Sequence, residues 1–333
     1  MDIGNTTLFR DTRDAVLAGE ALHGPDLDRF TQAVAQARGA DLEALLQAAR
    51  AIRKACTGRQ VGLCAIVNAK SGRCSENCAF CAQSGHYRTQ APVHPFLDVD
   101  QVVQAARAMR DLGATHFGIV ISGLTPTRED FARLRECVAA VAALGMHADA
   151  SCGVLSREQL LELKDAGLTA YHHNLETARS FFPSICTTHD YEDDVEAVRQ
   201  ALDLGLYVCS GGIFGLGESW GQRAELAVTL RELGVPSVPV NFLHPMPGTP
   251  LGAREPMSAG EALRIVALLR FILPTAQIRV CGGRSTVFPP GRELDALDAG
   301  ASGLMIGDYL TIQGADARRD VQGIRDMGWE LPR

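Results

Sequence analysis

Three cysteines fall within eight residues of one segment, and their spacing limits what the surrounding chain can build. The segment reads Cys74-Ser75-Glu76-Asn77-Cys78-Ala79-Phe80-Cys81, a C-x3-C-x-F-C pattern. A short loop with this spacing can turn three sulfurs toward one point, which suits a metal or an iron–sulfur centre. Three thiolates are one fewer than the usual four ligands of a [4Fe–4S] cluster, so one iron would stay open to another ligand.

Two other interpretations of this cysteine loop stay open on spacing alone. A structural zinc site normally takes four ligands, and His86, which follows Cys81 closely, could supply the fourth. The chain would then be a non-catalytic zinc-binding protein. A disulfide framework is disfavoured, because the number of thiols is odd and no secretion signal is evident.

Composition excludes several classes of protein. Of 333 residues, 46% are hydrophobic and 21% are charged, which is enough apolar content for a sizeable core. The formal net charge of −7 provides no basic field for nucleic acid, and no apolar run reaches the length of a membrane span. We therefore expect neither nucleic acid nor membrane as a partner. Ten cysteines without a secretion signal favour a reducing compartment, so we expect a cytoplasmic protein.

Apolar strand-like runs alternate with helical patterns along most of the chain. Residues 1–60 are interpreted as an N-terminal helical extension, since Leu42, Leu45 and Leu46 recur at helical spacing. The predicted strands are 63–67, 116–122, 147–151, 170–174, 206–209, 235–243, 278–280 and 303–306. Eight strand–helix units predict a (β/α)8 TIM-type barrel over residues 61–312, with a doubly wound open sheet as the alternative. Residues 313–333 are expected to form a tail that packs on the barrel.

The segment from Asn68 to Ser84, which contains the cysteine loop, resembles the radical S-adenosylmethionine (SAM) enzymes, and the biotin synthase family in particular. The resemblance continues from about Val61 to about Thr311. It implies that the three cysteines hold a [4Fe–4S] cluster whose open iron binds SAM. It also implies a second iron–sulfur cluster, which donates sulfur as dethiobiotin becomes biotin by way of a 5′-deoxyadenosyl radical.

The same resemblance implies roles for residues around the cofactor. Phe80 is placed beside the adenine of SAM. The segment Tyr171–Thr177 matches a pattern in which Asn174 and Glu176 lie near SAM and His172 stands at a substrate-contacting position. Adjacent histidines at a strand end are otherwise hydrogen-bonded packing residues, because a metal needs a third ligand.

Later segments extend the resemblance to the second cluster and the substrate. A strand runs into the turn that contains Gly211 and Gly212, which are implied to shape the SAM site, and Cys209 matches a ligand of the second cluster. Asn241 falls where the family contacts dethiobiotin. Arg279 matches an arginine ligand of a [2Fe–2S] cluster. A glycine-rich turn or a strand-end asparagine is by itself weak evidence for function.

The chain also departs from the family pattern. Gly118 and Asp149 stand where the family has the other two cysteine ligands of the second cluster. Cys152 and Cys281 lie nearby and could hold an altered cluster, as in a similar lineage of the family, or could be small buried apolar side chains. Asp194 stands where the family commonly has an arginine that pairs with the SAM carboxylate.

The resemblance therefore implies SAM and dethiobiotin as substrates, an electron donor such as flavodoxin or ferredoxin, and a homodimer. A radical SAM barrel without a sulfur-donating cluster, such as a methylornithine-synthase-like mutase or a maturase, is the alternative enzyme. The remaining cysteines are interpreted as packing residues; they are Cys56, Cys64, Cys137 and Cys186.

Overall fold

The computed structural model describes residues 5–311 and 314–332. The helices are α1 (Asn5–Leu17), α2 (Gly24–Gln36), α3 (Gly39–Thr57), α4 (Val99–Arg110), α5 (Arg128–Ala142), α6 (Arg157–Asp165), α7 (Tyr191–Asp203), α8 (Trp220–Glu232), α9 (Ala259–Ile272), α10 (Arg284–Val287), α11 (Asp295–Asp298) and α12 (Ala317–Asp326), with a 3-10 turn at Phe182–Ser184. The strands are β1 (Gly62–Lys70), β2 (His116–Ile121), β3 (His147–Ser151), β4 (Leu168–His172), β5 (Tyr207–Cys209), β6 (Gly212–Phe214), β7 (Ser237–Phe242), β8 (Gln277–Val280) and β9 (Gly303–Met305).

The strands form one parallel sheet that closes on itself. Strand β1 pairs with β2 on one side and with β9 on the other. The ring closes where β5 pairs with β7 through Cys209 and Ser237. Strand β6 follows β5 after a two-residue break and also pairs with β7, so β5 and β6 share one position of an eight-position barrel. The predicted (β/α)8 barrel is confirmed, and the open sheet is excluded.

Every predicted strand overlaps an observed one, but β6 was not predicted. Its sequence begins inside the Gly211-Gly212 pair, which is typical of a turn. In the structure, the backbone of β7 approaches Gly211 so closely that a Cβ there would collide with the Pro239 carbonyl oxygen. The glycines therefore permit close packing between strands and do not reverse the chain direction.

The N-terminal helices pack against the outer layer of the barrel. The ring of Phe9 on α1 lies 5.9 Å from that of Phe30 on α2, which lies 4.6 Å from the ring of Phe271 on α9. All three side chains are buried. The boundaries at 60/61 and 312/313 stay predictions, and residues 1–4, 312, 313 and 333 lie outside the described residues.

Across the two described ranges, we find no helix that combines the length and the apolar character needed to cross a bilayer.

A buried ion pair attaches α12 to the barrel. The Arg284 guanidinium donates to Asp320 through Nη1 at 2.9 Å and Nη2 at 2.7 Å. Both side chains are buried. Replacing Asp320 with alanine leaves an uncompensated buried charge, so we expect the free energy of unfolding to fall by about 3–5 kcal/mol. Urea unfolding of the full chain measures this change.

The matched control is Asp326→Ala, which removes an exposed carboxylate from the same helix. Its expected effect is within about 0.5 kcal/mol. If both variants lower the free energy of unfolding equally, the ion pair does not attach α12 to the barrel.

Candidate active site

The cysteine loop follows β1 at the carboxyl end of the barrel strands, where barrel active sites lie. Its backbone is fixed by hydrogen bonds within the loop. The Cys74 N–H donates to the Gln83 carbonyl at 3.0 Å, the Gly85 N–H to the Cys74 carbonyl at 2.8 Å, and the Cys81 N–H to the Cys78 carbonyl at 2.9 Å. The loop is therefore held in one conformation by its own backbone.

All three loop cysteines line one cavity of about 210 Å³, here called the loop cavity. Among its other lining residues are Glu76, Phe80, Ser151, His173, Asn174, Glu176, Cys186, His189 and Asp194. Three thiols that line one cavity satisfy the donor set of a three-cysteine [4Fe–4S] cluster. The residues present therefore fit the cluster that the sequence predicts.

Glu176 lies in a strained backbone conformation beside this cavity. Its φ of 62° is in the left-handed region, which is uncommon for a residue other than glycine. The conformation is held by two backbone hydrogen bonds, from the Glu176 N–H to the Gly211 carbonyl at 3.1 Å and from the Ile213 N–H to the Glu176 carbonyl at 2.8 Å. A Cβ at Gly212 would collide with the Glu176 carbonyl oxygen. Gly211 and Gly212 thus support Glu176 and do not line the loop cavity themselves.

The side chains of Asn174 and Glu176 interact across the turn between them. Asn174 accepts a hydrogen bond from the Gly211 N–H at 3.2 Å and donates to the Glu176 carboxylate at 3.4 Å. Burial raises the pKa of Glu176 to about 8, and the Asp194 carboxylate adds to this rise. A positively charged ligand in the loop cavity would favour ionisation of Glu176.

A chain of hydrogen bonds joins two histidines to two carboxylates on the wall of the loop cavity. Asp194 accepts from His173 at 2.7 Å and from His189 at 3.2 Å, and the other ring nitrogen of His189 lies 2.7 Å from Glu76. The bond to Asp194 is the main cause that raises the pKa of His189 to about 9. No lysine or arginine of the described chain lines this cavity, so His189 supplies the cationic group near Asp194.

A second cavity, of about 160 Å³, lies inside the barrel and is here called the inner cavity. Three thiols and a guanidinium line it, namely those of Cys64, Cys209, Cys281 and Arg279. The Cys209 sulfur lies 3.2 Å from Ser237 Oγ, which also accepts a hydrogen bond from Arg279 Nε at 3.1 Å. Arg279 is buried, and its Nη1 has no hydrogen-bond partner among the described residues.

The three thiols of the inner cavity lose their protons with different ease, and burial raises the pKa of Cys209. A hydrogen bond between Cys64 and Cys281 lowers the pKa of Cys64 to about 6 and raises that of Cys281. Three sulfurs around a buried, partly unpartnered guanidinium form a donor set suited to an iron–sulfur cluster. The residues present therefore fit a second cluster with a ligand set other than three cysteines at the family positions.

Asp149, which stands at a family position for a cluster ligand, is instead paired with two histidines. It lies 2.9 Å from His116 Nδ1 and 3.2 Å from His172 Nε2. The carboxylate is fully buried, and the hydrogen bonds from His116 and His172 outweigh burial, so the pKa of Asp149 falls well below its usual range. His172 lines the inner cavity, and a Cβ on Gly118 would contact its ring.

The structure does not bring Cys152 to the inner cavity. Strand β3 ends at Ser151, whose side chain lies on the walls of both cavities. Cys152 follows it and is buried in the apolar core. Of the two cysteines that the sequence offers as substitutes, only Cys281 lies beside Cys209.

Asn241 is fixed at the end of β7, on the wall of the inner cavity. Its Oδ1 accepts from the Gly282 N–H at 2.9 Å, and its Nδ2 donates to the Gly212 carbonyl at 3.3 Å. The loop cavity and the inner cavity share Asn174, Glu176 and Ser151 as lining residues. The cavity lined by the loop thiols and the cavity lined by the inner thiols therefore adjoin each other.

Sequence reasoning missed two cysteines that the fold brings to these cavities. Cys64 lies on β1, inside the barrel, next to Cys281. Cys186 lies with its sulfur 3.8 Å from that of Cys78. Cys64 could have been identified from the sequence, because it lies on the face of β1 that points into the barrel. Nothing local in the sequence predicts the contact between Cys186 and Cys78.

Comparisons with known proteins identify relatives of this chain. Residues 69–230 match the family model described as the radical SAM superfamily, and residues 239–330 match the biotin and thiamin synthesis associated domain. A biotin synthase from Geobacter metallireducens is 48% identical, over 93% of this chain and 95% of that protein. A biotin synthase from Geobacter sulfurreducens is 47% identical, over 94% of this chain and 95% of that protein.

Solved structures share the fold at much lower identity. Methylornithine synthase has a TM-score of 0.83 at 20% identity and covers 97% of both chains. The FeFe-hydrogenase maturase HydG from Carboxydothermus hydrogenoformans has a TM-score of 0.77 at 19% identity, over 98% of this chain and 83% of that one. These likenesses show the fold alone, so the mutase and maturase alternatives are not favoured. The identities near 48% over almost the whole length, together with the two matching domains, show that this chain belongs to the biotin synthase family of radical SAM enzymes.

Proposed function

We propose that this enzyme converts dethiobiotin to biotin by inserting sulfur at two carbons, with SAM as the source of the radical. One observation carries the proposal: a cavity lined by the three cysteines of the loop shares a wall with a cavity lined by three further thiols. A radical formed in the first cavity would act on a substrate that reaches the second. When a cofactor supplies the chemistry, the protein must hold the radical source and the substrate close together, and two adjoining cavities do so.

The loop cavity supports binding of the SAM-cleaving cluster. Cys74, Cys78 and Cys81 would hold the [4Fe–4S] cluster, which, when bound together with SAM and given an electron, supplies a 5′-deoxyadenosyl radical. Phe80 lines the same cavity and offers an apolar face to the adenine. Asn174 and Glu176 would position the ribose.

The inner cavity supports binding of the second cluster. Cys209 and Cys281, joined by Cys64, would supply thiolate ligands, with Arg279 beside them. When bound there, this cluster supplies the sulfur. The partly unpartnered guanidinium of Arg279 is suited to a ligand or neighbour that carries negative charge.

Asn241 and His172 would orient dethiobiotin between the two cavities. Both line the inner cavity, and both are fixed by hydrogen bonds, Asn241 to the Gly212 carbonyl and His172 to Asp149. A fixed amide and imidazole can bind the polar end of the substrate while its unactivated carbons face the wall at Glu176. A small cluster of apolar side chains packs against Phe80 and would keep water from the radical; its members are Ile185, Leu216 and Leu243.

We further propose that flavodoxin or ferredoxin delivers the electron and that the enzyme is a homodimer, as the family resemblance implies. Reduction by either protein, and light scattering of the purified chain, test these two points separately. The activity itself is tested by measuring biotin formed from dethiobiotin and SAM.

Replacing Glu176 with alanine is expected to weaken SAM binding. A ribose hydroxyl left without its acceptor costs about 1–3 kcal/mol, which is a loss of affinity of about 5- to 150-fold. Glu176→Gln keeps one acceptor oxygen and should lie between the wild type and the alanine variant. Equilibrium dialysis of SAM against reconstituted protein measures the dissociation constant.

Glu196→Gln serves as the control, because Glu196 is exposed on α7. It should bind SAM as the wild type does. Unchanged SAM affinity in Glu176→Ala would remove Glu176 from the SAM site.

A further inference from the structure

Three side chains with metal-binding atoms, those of Glu76, Cys186 and His189, converge beside the cysteine loop, and the Cys78 sulfur lies next to that of Cys186. The Cys186 sulfur lies 3.8 Å from the Cys78 sulfur and 3.4 Å from His189 Nδ1. The same nitrogen lies 2.7 Å from Glu76 Oε2. Glu76, Cys186 and His189 offer ligand atoms that all lie within 4.8 Å of one another. Two sulfurs, an imidazole nitrogen and a carboxylate oxygen are a common donor set for zinc and ferrous iron.

Two of the separations match a tetrahedral mononuclear site, and the Cys78 side chain would turn toward His189 and Glu76 when a metal binds. Bonds of about 2.3 Å to sulfur and about 2.0–2.1 Å to nitrogen place two sulfurs about 3.8 Å apart and a sulfur and a nitrogen about 3.5 Å apart. The observed separations are 3.8 Å and 3.4 Å. The contact between His189 and Glu76 is a hydrogen bond, so a metal would replace that proton and the carboxylate would move slightly outward.

Asp194 supplies an independent observation that points to a ligand. It lies 3.2 Å from His189 Nε2, the ring nitrogen that does not face Cys186. A carboxylate that accepts from the outer nitrogen of a histidine is the usual support for a metal-bound imidazole, because it keeps a proton on that nitrogen while the inner one gives up its proton to the metal. Asp194 is buried and also accepts from His173, so its position is fixed.

The surrounding fold holds the two central ligands before any metal arrives. The Cys186 N–H donates to the Phe182 carbonyl at 3.0 Å, and the Phe182 ring packs edge-on against that of His189 at 5.4 Å. Both ligands therefore lie on a short segment between the 3-10 turn and α7. A prearranged pair of ligands lowers the cost of ordering on binding.

We propose that Cys78, Cys186, His189 and Glu76 form a mononuclear site for a divalent cation of the zinc or ferrous iron class, occupied when the loop carries no cluster. Cys78 cannot serve both metals as a terminal ligand, so the site and the [4Fe–4S] cluster exclude each other. That exclusion rests on the proposed role of Cys78.

Cobalt titration of the full chain without its clusters tests the proposal directly. Thiolate-bound Co²⁺ in a tetrahedral site gives intense ligand-to-metal charge-transfer and visible d–d bands. The background variant Cys64→Ala/Cys209→Ala/Cys281→Ala removes the three thiols of the inner cavity, which would also bind cobalt. We expect one equivalent of tetrahedral cobalt per chain in this background, displaced by zinc.

Further variants distinguish metal bound at this site from metal bound by the loop cysteines alone. Adding Cys186→Ala or Cys78→Ala should abolish the charge-transfer bands, whereas adding Cys74→Ala and Cys81→Ala together should leave them intact. Asp194→Asn should weaken cobalt binding by about 10–100-fold, as loss of such a supporting carboxylate does. Cys137→Ala, a buried thiol on α5, is the matched control and should change nothing.

The opposite pattern would overturn the proposal. Cobalt bands that need Cys74 and Cys81 but not Cys186 would place the metal in the loop alone, and absence of thiolate-bound cobalt would leave only hydrogen-bonded packing. If Cys186→Ala does not fold by circular dichroism, His189→Gln provides the same test. None of these readouts uses biotin formation, so failure here is distinct from failure of the proposed function.

Discussion

Replacing Cys209 with alanine is expected to stop biotin formation while SAM cleavage continues. Cys209 lines the inner cavity and lies apart from the loop cysteines, so its loss should remove the sulfur source without disturbing the SAM site. Biotin should fall to background, and 5′-deoxyadenosine should stay close to the wild-type amount. Cys281→Ala should behave in the same way. Both products are measured in one anaerobic reaction of the reconstituted variant.

Two controls make this separation informative. Cys152→Ala should leave biotin formation nearly unchanged, because Cys152 is buried in the core and lines neither cavity. Cys137→Ala removes a buried thiol on α5 and controls for the loss of a cysteine as such. If Cys152→Ala abolishes biotin and Cys281→Ala does not, the second cluster has other ligands than those proposed here.

Replacing Cys81 with alanine is expected to abolish both products. Cys81 is one of three loop thiols, and two thiolates do not satisfy a cluster that already has one open iron. Reconstituted Cys81→Ala should therefore lose the iron and the visible absorption of the [4Fe–4S] cluster, while iron bound in the inner cavity is retained. Iron and sulfide analysis with Mössbauer spectroscopy measures the two clusters separately.

The outcome that would contradict this assignment is residual SAM cleavage. Near-normal 5′-deoxyadenosine from Cys81→Ala would mean that another ligand completes the cluster. His86, which the zinc interpretation offers as a fourth ligand, is not arranged for that purpose, since its Nε2 lies 2.8 Å from the Ser75 carbonyl oxygen.

The cysteine loop and the barrel could be predicted from the sequence because their signals are local. Three cysteines at fixed spacing lie on one short segment, and each strand is a short apolar run between helical patterns. The loop had to follow β1 at the carboxyl end of the barrel, and it does. The break between β5 and β6 was harder to predict from the sequence. Gly211 is needed because the backbone of β7 passes close to it, and no local sequence pattern shows that contact.

The ligand groups beyond the loop depend on tertiary contacts, which a single sequence does not display. Cys64 and Cys281 are distant in the chain and meet only because β1 and β8 both flank β9. Cys152 is close to Asp149 in sequence, yet β3 ends between them and the chain turns it into the core. Cys186 meets Cys78 because the segment before α7 folds over the loop. Those contacts follow from the tertiary fold and not from the spacing of residues along the chain.

The central claim is that radical formation and sulfur donation occur in adjoining cavities of one chain. An anaerobic single-turnover reaction tests it most directly. Protein reconstituted with iron and sulfide receives dethiobiotin, SAM and a low-potential reductant, and biotin and 5′-deoxyadenosine are both quantified. We expect both products, with biotin formed in the absence of added sulfide. Formation of 5′-deoxyadenosine without biotin would contradict the claim and would assign this chain to a radical SAM reaction that needs no sulfur donor.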